Sequence, residues 1–183
     1  MKKIVRGLLI GVALLISGYL IYGHWARIEA KVWHWRHGYS LYVGDYQIPV
    51  PDHWLVLDTE SQSMATLVNT RVKRAPDPFS RTSVITVSYT PSPPRDLDAW
   101  ASLSRQMIER EGVSDVEGKT FRAGDETVVC LGGLELRALV HVPSLSAVSL
   151  ECRSSGRLSL GFSGPESGLP EFYSIASQIQ ERK

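Results

Sequence analysis

The sequence predicts an α+β fold: an antiparallel sheet with two main helices packed on it, an α/β/α sandwich-like arrangement, preceded by one N-terminal transmembrane helix. Three observations predict it. Several stretches alternate apolar and polar residues with a period of two, two others carry apolar residues at helical spacing, and the N-terminus holds a long uncharged apolar run. Of the 183 residues, those beyond the N-terminal segment suffice for one domain with its own core.

The anchor comes first. Residues 1–6 form a basic cytoplasmic start with Lys2, Lys3 and Arg6, and Gly7 to Gly23 reads GLLIGVALLISGYLIYG without a charge. A transmembrane signal-anchor helix is assigned to 7–25, near the roughly 20 apolar residues that a bilayer requires. The basic start puts the N-terminus in the cytoplasm, and Tyr19, Tyr22 and Trp25 crowd the far end, where amphipathic rings favour the headgroup layer. A single-pass protein of the cytoplasmic (inner) membrane is expected, its C-terminal domain in the periplasm or outside the cell. A cleaved signal peptide is the competing reading. Cleavage needs small residues in an A-x-A-like pattern, and neither Ala26 (after His24) nor Ala30 (after Ile28) supplies one.

A juxtamembrane amphipathic segment, 26–38, follows. Trp25, Ile28, Val32 and Trp35 recur at helical spacing, with Arg27, Lys31 and Arg36 mainly off that stripe. Two readings stand: an interfacial helix on the membrane, with Tyr22, Trp25, Trp33 and Trp35 at its interface, or tryptophans covering the bottom of the domain. His34 and His37 form a His-x-x-His pair, but a metal centre needs three or four ligands and a second shell. Polar residues near a membrane surface are the plainer reading.

Residues 39–183 form the exported domain. Tyr39–Val43 and Tyr46–Val50 read as strands joined by a Gly44-Asp45 turn, with Pro49 and Pro51 demoting the second to an edge or short strand. Alternation marks further strands at Ser83–Tyr89, Leu134–Val142, Ser146–Cys152 and Arg157–Ser163. Leu97 to Glu111 is a helix capped by Asp96, with Leu97, Trp100, Leu103, Met107 and Ile108 on the face expected to cover a sheet. A closing helix begins at Pro170 and carries Phe172, Ile175, Ala176 and Ile179.

Charge narrows the function classes. Residues 1–37 hold six basic residues against Glu29, and the rest hold 14 basic and 18 acidic. A mildly acidic domain is a poor nucleic-acid binder, so no nucleic-acid partner is expected. The basic stretch around KRAPDPFSR, with Arg71, Lys73, Arg74 and Arg81, is either a loop for an acidic partner or a solvated hairpin loop. Cys130 and Cys152 are the only cysteines. In an oxidising compartment they suggest one disulfide, buried thiols on separate strands being the alternative. No nucleophile elbow, phosphate loop, dinucleotide fingerprint or H-E-x-x-H is present. No catalytic residue, cofactor or metal is expected.

Tyr46-Gln-Ile-Pro-Val-Pro-Asp-His-Trp54 resembles the strand-Pro-x-x-Trp opening of PsbP-like and DcrB-like domains. The later order of strand, helix, meander and closing helix is similar too. The resemblance implies a Mog-type α/β/α sandwich over about residues 39–180 and a non-enzymatic role in assembly, chaperoning or binding. None of those families' functional residues maps here. The expected function is a membrane-anchored extracytoplasmic binding or assembly module with a protein partner. An inhibitor or immunity-type protein, or an enzyme with a site dispersed over distant loops, is the alternative.

Overall fold

The structure, a computed structural model, describes residues 24–58, 63–71, 82–92, 96–110, 117–135 and 147–182. The apolar run through Gly23, with Tyr22, and the loop residues Lys73, Arg74 and Arg81 lie outside them, as does most of the strand expected at Leu134–Val142. Among the described residues no helix is long and apolar enough to cross a membrane.

The first described element is helix α1, described over residues 24–37. A hairpin follows, β1 (Ser40–Val43) and β2 (Tyr46–Pro49), then β3 (Trp54–Asp58), β4 (Met64–Asn69) and β5 (Val84–Tyr89). Helix α2 (Leu97–Arg110) leads to β6 (Glu117–Ala123), β7 (Glu126–Glu135), β8 (Ala147–Ser154) and β9 (Leu158–Pro165). One 3-10 turn, Glu166–Gly168, precedes α3 (Leu169–Ser177) and the two-residue β10, Gln180–Glu181.

The chain is α+β, but its strands form two antiparallel sheets rather than one. The larger has the order β3-β4-β5-β9-β8-β7-β6, the smaller β1-β2-β10. Strand β2 is central in its sheet, and of the two expectations from its prolines it meets the short strand, four residues, rather than the edge. Pro49 ends the strand opposite Ser40, and β10 pairs only with Gln47 and Tyr46, so no ladder bond on that side needs the missing N–H. At the β1–β2 turn Gly44 has φ +56°, and a Cβ there would collide with the Tyr89 ring.

The inner face of the large sheet carries Trp54, Leu67, Ile85, Val87, Val128, Cys130, Leu150, Cys152, Leu160 and Phe162, all buried. Small-sheet residues Leu41, Val43, Tyr46 and Ile48 cover it together with Phe172, Ile175 and Ala176 of α3. Cys130 and Cys152 are direct cross-strand partners on β7 and β8 and are disulfide-bonded. The β7 residue Leu131 points to the opposite face and is buried apart from this core. Helix α2 lies along β7. Asp96 caps it as expected, its Oδ1 accepting from the backbone N–H of Asp98 (2.9 Å) and Ala99 (3.2 Å). Its apolar stripe is not covered as expected: no α2 residue is buried, and Leu103 and Met107 are 63% and 62% exposed.

Tyr46 fastens the small sheet to the ends of the large one. Its hydroxyl donates to Glu126 Oε1 at 2.5 Å and accepts from the Arg157 backbone N–H at 3.0 Å. Burial first, then the Glu126 bond, pushes the phenol well above its ordinary range, so it remains the donor.

Two stability predictions follow from this packing. Replacing Cys130 and Cys152 together by Ser should lower the unfolding free energy by about 3 kcal/mol, the loop-entropy value for their separation of 22. Tyr46→Phe should cost about 1–3 kcal/mol by leaving the Glu126 carboxylate under-satisfied. Urea titrations of both variants check the two values.

Candidate functional site

Polar side chains converge where the turn before β3 meets the start of α3. The His53 ring sits between two acids, with Nδ1 3.0 Å from Asp52 Oδ1 and Nε2 2.5 Å from Glu171 Oε1. Asn69, at the end of β4, donates from Nδ2 to Glu171 Oε2 at 3.0 Å and accepts the Arg71 backbone N–H at 2.9 Å. The His53 carbonyl accepts from both the backbone N–H and the Oγ1 hydroxyl of Thr70, each at 2.8 Å. The His53 side chain is only 12% exposed, against 76% for Asp52 and 30% for Glu171.

Chemically this cluster is a clasp. A general base needs a ring nitrogen open to a substrate. Here both nitrogens face carboxylates, Asp52 on one side and Glu171 on the other. The Thr70 hydroxyl beside the cluster is committed to a backbone carbonyl. The acid partner that would have favoured an enzyme at His53 is thus present, but the ring is engaged. The bond from His53 also holds Asp52 below the ordinary carboxylate range.

Helix α1 docks beside the clasp. Ala30 is fully buried, and Trp33 packs against the core. The Arg27 guanidinium donates to the carbonyls of Thr70 (3.3 Å) and Arg71 (3.0 Å). His34, 7% exposed, has Nδ1 2.9 Å from the Gly38 carbonyl and Nε2 3.2 Å from the Trp54 carbonyl, so either neutral tautomer donates to one of them. His37 Nδ1 lies 3.0 Å from the Trp33 carbonyl. The His-x-x-His pair is turned to backbone carbonyls, and no group of three metal-ligating side chains occurs among the described residues. Of the interface candidates, Trp25 and Trp35 are exposed while Trp33 is turned to the domain. Of the basic loop only Arg71 is described, and it is exposed.

On the small sheet, Tyr39, Ser40, Gln47, Pro49, Gln178 and Gln180 line an open groove of about 320 Å³. It holds no charged side chain. Three amides and two hydroxyls supply donors and acceptors, and Gln47 Nε2 bonds Ser40 Oγ at 3.2 Å. The clasp and the groove were both missed in the sequence, since His53 and Glu171 stand 118 residues apart and the groove joins the two ends of the domain.

A scan against protein-family models finds no match, and a search of curated proteins finds no relative.

The clasp makes two predictions. Glu171→Ala, which removes the acceptor of both His53 and Asn69, should lower the unfolding free energy by about 1–3 kcal/mol. Asp52 is held low in the folded state. Its contribution is therefore present above the ordinary aspartate range of about 4 and lost as pH falls through the depressed folded value. His53→Ala should remove that acid-side loss, which thermal melts across the acid range would detect.

Proposed function

We propose that the protein is a membrane-anchored extracytoplasmic module that binds or assembles a partner protein at the outer face of the cytoplasmic membrane. The observation that carries this reading is the junction between the apolar run and the domain. The uncharged segment Gly7–Gly23 leads directly into α1, and α1 is bolted to the domain through Arg27, Ala30 and His34. The Cys130–Cys152 disulfide suits an oxidising compartment. The uncharged groove offers hydrogen bonds in both directions without a catalytic group, as a docking site requires. The resemblance of Tyr46–Trp54 to the opening of PsbP-like and DcrB-like domains points the same way.

Orientation and docking are tested separately. Alkaline phosphatase fused after Lys183 should be active, and the purified protein should keep its N-terminal segment by intact mass. A fusion that works only with a cytoplasmic reporter overturns the orientation, and a mature N-terminus near Lys31 overturns the anchor. A partner co-purifying from native expression levels should be lost on Gln47→Arg with Gln178→Arg, at unchanged melting temperature. Recovery of the monomer alone counts against the binding role.

A further inference from the structure

Helix α1 presents two opposed faces. At about 100° per residue, Ala30, His34 and Arg27 fall on the docked side. Trp25, Ile28, Val32 and Trp35 fall on the side turned directly away from the domain. Those four are 48%, 39%, 42% and 84% exposed. Such a stripe of large apolar side chains in water marks a contact surface. Each edge carries one cation, Lys31 next to Trp35 on one side and Arg36, beside the acid Glu29, next to Trp25 on the other. Glu29, on the Arg36 edge, accepts the Trp25 indole N–H at 2.5 Å.

We propose that this stripe is seated in the headgroup layer of an anionic phospholipid bilayer, with α1 lying in the membrane plane and the domain resting on its other face. The inference rests on the anchored reading above and adds an orientation to it. The occupant follows from where the preceding chain ends. The uncharged run ends at Gly23, two positions before Trp25, so on the anchored reading the stripe starts beside the bilayer surface. Tryptophan rings near both ends of the stripe suit the boundary between acyl chains and water. Lysine and arginine at the edges can lay their stems along the apolar surface and reach lipid phosphates.

An upright α1 makes a different prediction. Ten residues separate Trp25 from Trp35, so an upright helix would lift Trp35 about 15 Å above Trp25. In the plane, the two rings share one depth. The full chain is reconstituted in phosphatidylcholine–phosphatidylglycerol vesicles with and without brominated acyl chains, and the quenched tryptophan emission is compared with that of Trp25→Phe and Trp35→Phe. Both side chains are exposed, so the variants should keep the wild-type melting temperature. Each substitution should remove a comparable share of the quenched emission, within about twofold, and Lys31→Glu with Arg36→Glu should at least halve the Trp35 share. Loss confined to Trp25→Phe, in protein that floats with the vesicles after alkaline washing, overturns the in-plane helix and leaves the anchor standing. Protein that fails to float overturns both.

Discussion

The inner face of the seven-stranded sheet sets Leu67, Ile85, Val87, Leu160, Phe162 and Cys152 side by side, and no strand of that sheet can cover them. The cover comes from both ends of the domain at once. Its N-terminal hairpin brings Leu41, Val43 and Ile48, its C-terminal helix brings Phe172 and Ile175, and β10 zips the two together on β2. Each such side chain contributes about 1.5–3 kcal/mol when buried, so the core depends on elements far apart in the chain. Helix α1 leads into this cover, ending shortly before β1 and packing Trp33 against the core. Whatever holds α1 also holds the lid of the core.

Two polar clasps pin that cover at its rim. Tyr46 ties the hairpin to Glu126 and Arg157, and Glu171 ties the start of α3 to His53 and Asn69. Groups of this kind often signal catalysis when they gather in a cleft. Here each is satisfied by a neighbour whose position it fixes, and the open groove between Tyr39 and Gln180 contains only neutral side chains. Tyr46, Glu126, His53, Asn69 and Glu171 thus tie the layers of the domain together.

Local periodicity was legible in the sequence in several elements that bury one face. The alternation in β5, β8 and β9 and the apolar stripe of α3 matched the observed elements closely, because burial on one side imposes the period. Strand β6 gave no such signal. It is an edge strand, Glu-Gly-Lys-Thr-Phe-Arg-Ala, and of its side chains only Ala123 is recorded as buried. Strand β4 went unread although it alternates, and its inward positions end in Asn69, a polar residue whose partner is Glu171, 102 residues away. The α2 stripe misled in the opposite direction, since periodicity records an apolar face without saying what covers it. The same limit applied at α1: spacing could not decide whether the tryptophans faced the domain, and the structure divides them, Trp33 inward, Trp25 and Trp35 outward.

That division bears on charge. Residues 38–183 carry 14 basic and 18 acidic residues, so on the anchored reading an acidic body is held beside an anionic surface that repels it. Screening reduces the repulsion over a Debye length of about 8 Å at physiological salt. A helix lying between the two is about 10 Å thick with its side chains, enough to set the body beyond that length. The three cations of α1 are sorted accordingly. Arg27 is turned to the domain, where the carbonyls of Thr70 and Arg71 engage it, while Lys31 and Arg36 flank the outer stripe. One charge clamps the helix to the body, and the other two stand where lipid phosphates would meet them. An acidic domain can then rest close to a membrane without a basic face of its own, provided that α1 stays between them.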